Sequence, residues 1–143
     1  MTTERYLTQH DATMLSKLAE QLLRTRDVDF NQAEKLIDLI AASILLPENT
    51  PRKDCVSLYS RVRYRHVGSK DEQSIVIVCP HDVNETLVRV SILAPLAMAL
   101  IGRPEGTIVE VELPFNRAQS IEILEVQDLS SEVIEPGESA TLG

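Results

Sequence analysis

Apolar residues recur at helical spacing through the first third of the chain and at strand spacing through the rest. Met14, Leu15, Leu18, Ala19 and Leu22 fall three or four residues apart, with Lys17, Glu20 and Gln21 on the other side, the layout of one buried helix face. Thr8 has the chemistry of an N-cap, and Asp11 stands three residues on in the position of a capping-box partner. The helix is expected to run to about Arg24, where Thr25-Arg26-Asp27-Val28 breaks the pattern. Asp29 is placed to cap a second helix with Gln32 as its box partner. Ala33, Leu36, Ile37, Ile40, Ala41 and Ile44 then form the cleanest apolar stripe in the chain. Two amphipathic helices joined by a few residues are expected to pack as an antiparallel hairpin. Each arm would be about 25 Å long.

Pro47-Glu48-Asn49-Thr50-Pro51 cannot continue a helix, and a boundary is expected there. Beyond it the period changes to two. Val56–Val67 alternates, with Arg61, Arg63 and Arg65 on one face and Val62 and Tyr64 on the other. Gly68 to Glu72 supplies a hairpin turn into the apolar run Ser74–Cys79, and Pro80 ends that strand's pairing. His81–Leu87 reads as a polar loop with room for one helical turn. Val90 and Ile92 alternate with Ser91 and Leu93 as a further strand. Pro95 suits the first turn of a short helix. Leu96, Ala97, Leu100 and Ile101 give that helix an apolar face, and Gly102 stands at its C′ position. After a turn at Arg103-Pro104-Glu105-Gly106, a strand begins at Ile108, Val109 and Val111. A reversal at Pro114 to Arg117 leads into Ser120–Val126, with Ile121 and Ile123 inward. Helices first and strands after make an α+β chain. Its parts are a helical hairpin over residues 1–46, a linker over 47–51, a sheet domain with one short helix over 52–127, and a tail over 128–143.

Composition narrows the class. The 143 residues suit one ordinary domain, and with 3% aromatics and no Trp its core must be aliphatic. No run approaches the about 18 apolar residues of a membrane span. The first residues lack the layout of a signal peptide, and Cys55 and Cys79 do not make a disulfide framework. A cytoplasmic, reduced protein with no membrane contact is expected. The net charge of −8 argues against a general nucleic-acid binder. Asp128, Glu132, Glu135 and Glu138 put four negative charges, and no Lys or Arg, in the tail. A mobile, solvating role is expected for it.

No constellation has the spacing of a catalytic or metal site. Cys79-Pro80-His81 and Cys55 offer soft ligands without a Cys-x-x-Cys pair or a second His nearby. Cys79 reads as a small core residue at a strand end. Ser60, Ser91 and Ser120 lack a Gly-x-Ser-x-Gly context. Gly102 and Gly106 have no Lys-Ser/Thr following to make a phosphate loop. No enzyme, metal or cofactor is expected. The row Arg61, Arg63 and Arg65 has two readings. It could guard an edge strand against sheet-to-sheet aggregation, or contact an acidic partner by bidentate pairing. A sequence-specific nucleic-acid contact has little support in so acidic a chain with few aromatics.

The stretch Val90-Ser91-Ile92-Leu93-Ala94-Pro95-Leu96-Ala97-Met98-Ala99-Leu100-Ile101-Gly102, followed by Gly106 and Val109-Glu110-Val111-Glu112-Leu113-Pro114, resembles the C-terminal domain of the Gre transcript-cleavage factors. Ala-Pro where typical members have Ser-Pro, together with Ser60-Arg61-Val62, is similar to a short branch of that family, the regulators of nucleoside diphosphate kinase. Thr107 departs from the family's usual Asp, and Phe115-Asn116-Arg117 from its Gly-rich turn. The resemblance implies an FKBP-like antiparallel sheet that docks on RNA polymerase at the rim of the secondary channel. Ala94, Pro95 and Leu96 are then the docking residues. In the longer Gre factors an acidic pair at the hairpin tip helps to hold the polymerase's catalytic Mg²⁺. Asp27 and Asp29 occupy the tip here, with a turn residue and an N-cap as their local roles. The arms are shorter than those of cleavage-stimulating relatives, so the expected role is a monomeric competitor that binds polymerase without stimulating cleavage. Two alternatives stay open. One is a transcript-cleavage factor using Asp27 and Asp29. The other is an FKBP-like prolyl isomerase, although such enzymes line their pocket with aromatics around a Trp.

Overall fold

The computed structural model describes residues 4–24, 30–47, 54–113 and 117–127. Helix α1 spans Gln9–Arg24. Thr8 caps it, its hydroxyl accepting the Asp11 N–H at 3.0 Å, which satisfies one of the orphan donors of the first turn. Leu15, Leu18, Ala19 and Leu22 are buried along one face, as their spacing predicts. Helix α2 spans Phe30–Ala41, and its buried face is Ala33, Leu36 and Leu39. This differs from the anticipated stripe: Ile37 is 44% exposed, and Leu39 takes an inward place. The buried face is centred on Leu36, with Ala33 and Leu39 three residues to either side. Leu39 borders a hollow shared with Met98 and Ala99, while Ile37 and Ile40 border an outer groove shared with Ala19 and Leu23 of α1. Nor does Ile44 extend the helix. Its N–H donates to the Arg5 carbonyl at 2.8 Å, and Ile44–Leu45 becomes β2, parallel to β1 at Tyr6–Leu7. Asp27 and Asp29 lie outside the described residues, as do most of the expected linker, the reversal at 114–116 and the acidic tail.

The main sheet has five strands, β3 (Arg61–His66), β4 (Glu72–Val78), β5 (Arg89–Ser91), β6 (Ile108–Leu113) and β7 (Arg117–Gln127), in the order β5-β4-β3-β7-β6. Helix α3, Pro95–Leu100, crosses from one edge strand to the other. The sheet is mixed, which corrects the expected antiparallel arrangement: β5 runs parallel to β4. After Cys79 the chain passes through a short helical turn at Pro80–Asp82 and returns along the sheet edge, held by an antiparallel bridge between Asn84 and Arg89. It thus re-enters the sheet in the direction of β4, as a parallel neighbour must. Strand β3 is shorter than the alternating run Val56–Val67 because Tyr59, at φ 65°, turns the backbone just before it.

One hydrophobic cluster runs through the described fold, from Leu15 and Leu36 in the helices to Val62, Ile77, Ile92, Leu100 and Ile123. Backbone groups join the same parts: the Leu58 N–H donates to Asp11 Oδ2 at 3.3 Å, and the Tyr6 N–H to the Gly102 carbonyl at 2.8 Å. Gly102 ends α3 with φ 79°, and a Cβ there would lie 2.4 Å from Arg5 Cγ and 2.8 Å from the Tyr6 carbonyl oxygen. The C′ conformation and the close approach of β1 both require glycine.

Candidate docking site

The segment leaving β5 is fixed before it reaches the surface. Ser91 Oγ accepts the Leu93 N–H at 3.0 Å, the Ser91 carbonyl accepts the Ala94 N–H at 3.0 Å, and Ile92 is fully buried. Ala94 is the extended N-cap of α3, with no side-chain cap bond, and Pro95 occupies the first turn, where its missing N–H leaves no bond unmade. Ala97, Leu100 and Ile101 then anchor the helix in the core. Pro95 is exposed, and Ala94 and Leu96 are half-buried. The three predicted docking residues therefore form one small uncharged prominence on a rigid support, suited to an apolar contact rather than to proton transfer.

The arginine row is elsewhere and is paired within the fold. Strand β3 is central, so Arg61, Arg63 and Arg65 do not guard an edge. Arg63 reaches Glu72 of β4 at 2.6 Å and Glu125 of β7 at 3.3 Å. Arg65 reaches Glu122 at 2.9 Å, and Arg61 donates to Gln127 Oε1 at 3.3 Å. Cross-strand pairs of this kind support register, although at this exposure each contributes little stability.

Three features escape sequence reasoning. Arg5, in a stretch with no recognisable pattern, caps the C-terminal end of α3 with its guanidinium, which donates to Met98 and Ile101 carbonyls at 2.9 and 2.8 Å. Asp11 is buried, and desolvation pushes its carboxyl up to about 6 against the opposing Leu58 N–H, His10 and Thr8. Its place four residues before Leu15, on the apolar face, was the available signal. Tyr59 donates to the Asp82 carboxylate, and burial and that bond raise its phenol. His81 Nε2 lies 3.3 Å from the same carboxylate. Cys55 and Cys79 are buried free thiols. No helix among the described residues is long and apolar enough to cross a membrane.

The family model for the C-terminal domain of the transcription elongation factors GreA/GreB matches residues 51–128, a span that contains the sheet and the α3 prominence. The regulator of nucleoside diphosphate kinase of Escherichia coli (strain K12) is 30% identical over 90 residues, covering 63% of this chain and 65% of that protein. GreA of Oenococcus oeni is 25% identical over 95 residues, covering 66% of this chain and 59% of that protein. The match thus spans less than two thirds of the length of either relative. A solved structure, the prokaryotic transcription elongation factor GreA/GreB from Nitrosomonas europaea, superposes with a TM-score of 0.69 at 26% identity, over 89% of this chain and 100% of that one. A match over more than half of its length places the chain in the GreA/GreB family.

Proposed function

We propose that this chain is a non-enzymatic regulator of transcription elongation that binds RNA polymerase through Ala94, Pro95 and Leu96 at the rim of the secondary channel. On this reading α1 and α2 are an antiparallel hairpin entering the channel, and the sheet with α3 is an FKBP-like docking domain. The protein acts as a cytoplasmic monomer and competes with Gre factors without stimulating transcript cleavage. The division into 1–46, 52–127 and an acidic tail is one of tasks: occupancy, docking and solvation. The observation that carries the reading is the exposed Pro95 on its anchored turn, inside the segment matched by the family model. Reach supports the absence of cleavage: the 16 residues of α1 extend only about 24 Å.

Pro95→Glu isolates the docking contact. Glu is tolerated in the first turn and suits the positive end of a helix, so the thermal midpoint should hold while binding to core polymerase falls. Wild-type binding by the folded variant would remove this site. In a stalled elongation complex the wild-type protein should leave transcript length unchanged and slow cleavage by an added long-hairpin Gre factor. The double variant Asp27→Ala with Asp29→Asn, which keeps a capping residue, should compete equally well. Cleavage products made by the wild type and lost in the double variant would instead assign the tip carboxylates to catalysis.

A further inference from the structure

Arg5–Leu7 lies where the helical pair, α3 and the sheet meet. The Arg5 guanidinium donates from Nε to the Ile101 carbonyl at 2.8 Å and from Nη2 to the Met98 and Ala99 carbonyls at 2.9 and 3.4 Å. Carbonyls in a helix's last turn have no intrahelical partner. With only six residues and no side-chain cap at Ala94, α3 is too short to hold its form alone. The backbone of the same segment grips the other side. The Arg5 carbonyl accepts the Ile44 N–H at 2.8 Å, the Leu7 carbonyl accepts the Leu46 N–H at 2.9 Å, and the Tyr6 N–H reaches the Gly102 carbonyl at 2.8 Å. One short segment thus ties the base of α2 to the end of the helix whose other end carries Ala94, Pro95 and Leu96. Burial, with Arg103 nearby, draws the Arg5 pKa down to about 10, which leaves the guanidinium charged at neutral pH.

We propose that Arg5 is a positioning residue: it holds the α3 prominence and the α1–α2 pair in one fixed relation, so that a partner engaged at Ala94–Leu96 meets the helices at a set angle. Its consequence for binding rests on the docking reading above, whereas the fixed geometry does not. Two contact elements held rigidly reinforce each other at a partner, and that reinforcement falls when their relative orientation is released. Lysine is a poor substitute, because a single ammonium does not reproduce a planar fork spanning several carbonyls.

The test compares full-length, isotopically labelled wild type, Arg5→Met, Arg5→Lys and Leu22→Ala by residual dipolar couplings. Leu22→Ala is a stability control in α1, away from α3. Wild type and Leu22→Ala should each fit one alignment tensor across helices and sheet. Arg5→Met should turn α1 and α2 to a different fitted orientation relative to the sheet, the shared core still holding them together, with Arg5→Lys shifted the same way by less. In competition with a Gre factor for core RNA polymerase, Arg5→Met should lose roughly tenfold in potency and Arg5→Lys less. If Arg5→Met does not fold, Arg5→Lys carries the comparison. Helices that keep the wild-type orientation in the folded Arg5 variant overturn the inference, whatever its potency. If wild type does not bind polymerase, the docking reading fails and the tensors still decide the role of Arg5.

Discussion

Asp11 is the one buried carboxylate among the described residues, at 3% exposure. Its folded pKa of about 6 lies above the ~3.9 of an unfolded aspartate. The folded state therefore holds the proton more tightly. The stabilising contribution is complete below pH ~4 and is lost as pH rises through ~6. Asp11→Asn keeps an acceptor for Leu58 without the charge, so it should gain on wild type by about 2 kcal/mol between pH 4 and 7.5. Urea denaturation across that range measures it, and parallel pH profiles would refute the assignment. Gly102→Ala meets both an unfavourable φ and the atoms of Arg5 and Tyr6, and should cost on the order of 3 kcal/mol. Gly68→Ala has a positive φ but open space, and should cost about 1 kcal/mol in the same assay. At this scale the sequence was legible where a residue acts on its own turn, as Thr8 and Pro95 do. Arg5 was not, because its acceptors at Met98 and Ile101 are more than ninety positions away.

The helices show how far a hydrophobic stripe can be trusted. The period of α2 was legible, but its phase was not. The side of Leu39 and the side of Ile37 are both apolar, and the spacing alone does not say which of them the core takes. Leu36→Ala, at a fully buried position, should cost about 3 kcal/mol. Ile37→Ala, at 44% exposure, should cost well under that, about 0.5 kcal/mol. Equal losses in chemical denaturation would place Ile37 in the core after all. The strands were read with the right alternation, and β5-α3-β6-β7 follows in the expected order. The direction of β5 was not legible, since a strand of three residues carries no mark of which neighbour it will join or which way.

The whole molecule is more unified than its prolines suggest. Pro47 and Pro51 mark a break in the sequence pattern, and local signals cannot report that Leu15, Leu36, Val62 and Ile123 share one cluster. With helices and sheet drawing on a common core, unfolding should be a single cooperative transition. Helical circular dichroism and sheet amide signals would then share one midpoint. Two separated midpoints would show the parts to be independent. The strand order has a further consequence, for synthesis on the ribosome. β7 is the last described strand, yet it lies inside the sheet, between β3 and β6. β3 lacks one neighbour, and β6 its only one, until residues 117–127 emerge. The clamp at Arg5 likewise waits for Gly102. The growing chain thus presents an open edge on β3 from the time that strand emerges until β7 follows, and a product stopped before residue 117 lacks an interior strand rather than a dispensable margin.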